Sequence, residues 1–82
     1  MAATRDDIQR WFDEGVQKGA THMIVACDTF DWEDYPVFVM PETDPREEAA
    51  KYDGPNMQKL MEVYNLALDR DPQLNRRRCF EY

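Results

Sequence analysis

The chain has 82 residues, which is the size of one domain, and carries a net charge of −7 with only 10 basic side chains against 17 acidic ones. That balance argues against sequence-independent binding to nucleic-acid phosphates. No apolar run approaches a membrane span, and the first residues lack the apolar core of a secretory signal. A chain this short buries only about 60–65% of its unfolded surface, so ten aromatic residues must supply much of the core. Two cysteines are too few for a disulfide framework, and the expected setting is the cytoplasm, with Cys27 and Cys79 reduced and buried.

Thr4 and Asp7 form a T-x-x-D start, and Asp6 and Asp7 suit the positive end of a helix. Ile8, Trp11, Phe12, Gly15 and Val16 then share one face, and Lys18-Gly19 is a stop, so a helix is predicted over about Arg5 to Lys18. Gly15 on that face predicts close approach to a sheet. Met23 to Cys27 and Tyr35 to Met40 read as two strands of a hairpin. His22, the one histidine, is read as a hydrogen-bonding residue at a strand entrance. Asp44-Pro45 opens a short second helix that Asp53-Gly54-Pro55 closes.

Asn56 is read as the cap of a last long helix. Met57, Leu60, Met61, Tyr64, Ala67 and Leu68 make its stripe, and Asp71-Pro72 ends it. Arg78 to Tyr82 alternates polar and apolar and predicts a third strand. The expected architecture is a single α+β domain over residues 1–82. It is a two-layer sandwich of order α-β-β-α-α-β, with a small antiparallel sheet packed on two main helices. Its open edge would allow a homodimer unless Pro36 and the acidic residues block pairing.

The hairpin connection is the unusual stretch. Asp28, Asp31, Glu33 and Asp34 alternate there with Phe30, Trp32 and Tyr35, with no cation among them. Such a loop can be solvated with its rings folded onto the core, meet a basic partner surface, or hold a divalent cation. The calcium-loop pattern is absent, so no metal is assigned. The first 75 residues hold seven basic against sixteen acidic side chains, while Arg76, Arg77 and Arg78 form a basic corner.

Gly19 to Val25, Cys27 to Val37, Gly54-Pro55-Asn56-Met57, Met61 to Tyr64 and Gln73-Leu74-Asn75 resemble a group of small uncharacterised proteins encoded by bacteria and their phages. The resemblance implies the cytoplasm of a bacterium, or of one under phage infection, and carries over no catalytic or binding residue.

Phosphate-loop and dinucleotide fingerprints and C-x-x-C are missing, and no cofactor is assigned. The expectation is a non-enzymatic protein that presents Asp28, Asp31, Trp32, Glu33, Asp34 and Tyr35 to a basic protein partner. The alternatives are a binder of a small anionic nucleotide through Arg76, Arg77, Tyr64 and Asn56, an acidic mimic of DNA, and an enzyme of unrecognised type.

Overall fold

The computed structural model describes residues 3–54, 57–76 and 78–82. The first helix, α1, spans Arg5–Gln17. Thr4 Oγ1 accepts from the Asp7 amide at 3.2 Å and Asp7 Oδ2 accepts from the Thr4 amide at 3.1 Å, so the predicted start is a closed capping box. The far end closes equally firmly. The Ala20 amide reaches Gly15 O and the Gly19 amide reaches Val16 O, while Gly19 takes φ 78°, a conformation glycine adopts without a Cβ penalty.

Three strands follow the predicted class: an α+β fold with an antiparallel sheet. They are β1 (His22–Asp28), β2 (Glu33–Val39) and β3 (Gln58–Asn65), in the order β2-β1-β3. Two short helices complete the chain, α2 (Pro45–Ala50) and α3 (Arg70–Leu74). Asp44 caps α2 by accepting from the Arg46 amide at 2.9 Å, with Pro45 at the first helical position.

β1 lies in the middle, and its residues from His22 to Cys27 are all buried, because both of its faces are covered. Met23 and Val25 pack with Phe12 of α1, Tyr64 and Cys79, flanked by Ile8, Trp11, Phe38, Leu66 and Leu74. Ile24 points the other way, into Val39, Val63 and Ala49 of α2, flanked by Val37, Leu60 and Tyr82. The helices therefore cover both faces of the sheet, where a single helical layer is the sequence expectation. Gly15 meets the sheet as predicted. A Cβ there would lie 2.8 Å from Leu66 Cδ1 and 3.0 Å from Phe38 Cδ1.

The largest departure concerns residues 58–65. The predicted long helix is instead β3, and the element order is α-β-β-α-β-α. β3 buries Val63 on one face and Tyr64 on the other, so its apolar residues run on without alternation. Such a run matches helical spacing as well as a strand buried on both sides. A bulge near Met61, where the register with β1 slips between Val25 and Ala26, brings the pattern closer still to helical spacing. Arg78 donates to the carbonyls of Leu60 and Met61 at 3.4 Å at this irregular point. The Asp71-Pro72 pair read as a stop lies in the first turn of α3, where a missing amide proton costs nothing. The predicted C-terminal strand is present as a single parallel bridge, Phe80 to Val63, on the outer side of β3.

That bridge also fixes the open edge. Val63 exchanges both backbone bonds with Cys79 and Glu81, so its polar groups point away from β1. Its partner Ile24 must then bond toward β2, and the next pair, Val25 and Pro36, faces its backbone groups outward on the β2 side. Pro36 thus sits mid-edge with no donor to offer a further strand, which blunts edge-to-edge pairing.

Candidate functional site: the hairpin tip

β1 runs through to Asp28 and β2 begins at Glu33, so the loop is the four residues Thr29 to Trp32. Asp28 organises it. Its Oδ1 accepts from the Phe30 amide at 2.9 Å and its carbonyl accepts from the Trp32 amide at 2.6 Å. The rings do not fold onto the core: Phe30 is 73% exposed and Trp32 63%.

Met57, read from sequence as a helix-core residue, belongs to the same end of the molecule. Its carbonyl accepts both the amide and the hydroxyl of Thr29, each at 2.8 Å. Its side chain is 57% exposed. Trp32 at φ 57° and Met57 at φ 60° are the two non-glycine residues in left-handed backbone among the described residues. That conformation costs an L-residue about 1–2 kcal/mol. Two large apolar side chains are therefore held in a costly conformation and left largely exposed at one end of the sheet.

The structure sorts the other candidates. Asp31 and Glu33 are exposed at the tip. Asp28 and Glu33 are cross-strand partners at the closing pair. Asp34 turns to the opposite face, where its Oδ2 accepts from the Ala3 amide at 3.0 Å. Tyr35 is held by Gln58, whose Nε2 donates to its hydroxyl at 2.6 Å, and by an edge-on contact with Tyr52. Asp34 and Tyr35 are thus built into the scaffold. Sequence reasoning missed Met57, whose backbone state depends on a tie to Thr29 far away in the chain.

Among the described residues, the ion pairs join Asp7 to Arg10, Glu14 to Lys18, Glu48 to Lys51, Arg70 to Asp13 and Asp71, and Arg76 to Glu81. None involves Asp28, Asp31, Glu33 or Asp34. Neither Arg76 nor Arg78 forms an ion pair with an acid of the tip. Arg77 and Asn56, two of the candidate nucleotide ligands, lie outside the described residues. A third, Tyr64, is 1% exposed and packs edge-on against Phe12, so it offers no face to a base.

Behind β3 lies a partly buried acid. Burial pushes the Glu62 carboxyl above its ordinary value of 4.5, against opposing hydrogen bonds from Tyr64 and the Cys79 backbone. Burial, and then the neighbouring Glu62 charge, pushes the Tyr64 phenol far above its usual range. A carboxyl with a raised folded value binds its proton more tightly in the fold, so ionising it costs stability as pH climbs from 4.5 through that raised value. Glu62→Gln is therefore expected to melt above the wild type at pH 7 and level with it near pH 4, as read by thermal denaturation across pH. Burial also raises both thiols, Cys27 with help from Asp34, so neither is a ready nucleophile at neutral pH. His22 and Cys27 lie an odd number of positions apart on β1 and face opposite sides.

Among the described residues, no helix is long and apolar enough to cross a membrane and no group of three or more metal-ligating side chains comes together. Comparison with family models, curated proteins and solved structures returned no match for this chain.

Proposed function

We propose that the protein is a small non-enzymatic interaction module whose hairpin tip binds a basic surface on a partner protein. The observation that carries this is the exposure of Phe30, Trp32 and Met57 at one end of the sheet, beside carboxylates with no ion pair among the described residues. Large apolar side chains gathered on a surface mark interaction sites. The rim of Asp28, Asp31 and Glu33 selects a positively charged counterpart and steers its approach. In the bacterial or phage-infected cytoplasm that the sequence resemblance implies, such a module would act by occupying its partner.

The test is affinity capture from bacterial lysate with charge reversals. Asp31→Lys with Glu33→Lys is expected to lose whatever the wild type retains, while Glu47→Lys on the exposed side of α2 keeps it. A captured set that is the same for all three proteins rejects the reading.

A further inference from the structure

Three aromatic rings elsewhere on this protein are matched to cations of the chain itself. Lys18 Nζ lies 4.8 Å from the centre of the Phe38 ring, the Arg46 guanidinium 4.3 Å from that of Tyr82, and the Arg78 guanidinium 5.5 Å from that of Phe80. Phe30 is the most exposed of the large apolar residues at 73%, and no cation of the described residues lies over it. Asp31 and Glu33 flank Trp32 in sequence and carry no ion pair among the described residues. At Phe30 the tip therefore offers a ring face in the same loop as carboxylates without an ion pair among the described residues, with the cation left to come from outside.

We infer that the tip recognises arginine side chains on an exposed segment of the partner protein, the guanidinium stacking on Phe30 while its fork engages Asp31 or Glu33. This rests on the proposed function and names the chemistry of its partner. Arginine fits better than lysine for two reasons. Its planar, weakly hydrated guanidinium stacks on aromatic faces, and its donors match a carboxylate in pairs. Lysine offers a compact, strongly hydrated charge that gains less from a ring. Met57 beside the loop supplies an adaptable apolar wall for the aliphatic stem.

The probe is a short peptide alternating arginine and glycine, set against the same peptide with lysine for arginine. Calorimetric titration near physiological salt gives the affinities, and backbone amide shifts locate the binding. The arginine peptide is expected to bind at least about fivefold tighter than the lysine peptide, with shifts confined to residues 29–33 and 57–59. Phe30→Leu, which keeps an apolar side chain but removes the ring, is expected to weaken the arginine peptide about fivefold more than the lysine peptide. Equal affinity for the two peptides, or shifts centred on the acidic surface of α1 at Asp6, Asp13 and Glu14, would overturn the inference. If neither peptide binds while capture from lysate still depends on Asp31 and Glu33, the arginine inference falls and the interaction module stands. If both experiments fail, both readings fall.

Discussion

Gln73→Ala is expected to lower the stability of the fold by about 3 kcal/mol, the largest effect of any single polar substitution considered. Gln73 is 3% exposed in α3, and its amide is the staple between the end of β3, α3 and the tail. Its Oε1 accepts from the Asn65 amide at 2.8 Å and from the Cys79 thiol at 3.8 Å. Its Nε2 donates to the carbonyls of Asn65 and Asp69 at 2.8 and 3.0 Å. Alanine leaves three backbone groups without these partners, and each that stays dry costs about 1–3 kcal/mol. Gln73→Glu fares no better, because it points a carboxylate at two carbonyls that now receive a donor. Small domains hold only about 5–15 kcal/mol in total, so the urea midpoint should fall by a large fraction. A midpoint within experimental error of the wild type would show that water replaces the staple.

Trp32→Gly is expected to do the reverse: leave the fold as stable as the wild type, or more stable by up to about 1 kcal/mol, while removing the binding surface. Glycine takes φ 57° without strain, and a side chain 63% exposed forfeits little burial when it is lost. Most substitutions of a large apolar residue destabilise; one that does not identifies a side chain kept for another purpose. The same reasoning applies to Met57 at φ 60°. Strained positions gather at functional sites, and the proposed function uses both of these residues.

Much of the scaffold is legible from residue patterns, and the reasons are local. The capping box of Thr4 and Asp7, the stop at Gly19, the hairpin around Asp28 and the start at Asp44-Pro45 all depend on neighbours within a few positions. Gly15 could be placed against the sheet because it interrupts an otherwise apolar helical face. Residues 57–65 could not be assigned this way. Their state depends on β1 needing a second neighbour and on a bulge that brings a strand toward helical spacing. Asp71-Pro72 was ambiguous for a similar reason, since the same pair can close one helix or open the next.

The candidate site was half legible. The alternation of rings and carboxylates draws attention to the hairpin loop, but the boundary of β2 decides which side chains belong to it. Once β2 begins at Glu33, strand alternation sends Asp34 toward Ala3 and Tyr35 toward Gln58, and the surface contracts to Asp28, Phe30, Asp31, Trp32 and Glu33. Met57 joins it only through the Thr29 hydrogen bonds, a contact between segments 28 residues apart. Arg76 was a plausible phosphate ligand on charge alone; its pairing with Glu81 uses that charge within the tail.

The measurement that bears most directly on this account is partner capture by Trp32→Gly, run beside the wild type with the melting temperature of each protein recorded. A melting temperature equal to or above the wild type, together with loss of the captured partner, is the predicted pair of results. Capture at wild-type yield by a folded Trp32→Gly protein would contradict it, because the exposed ring would then play no part in holding the partner.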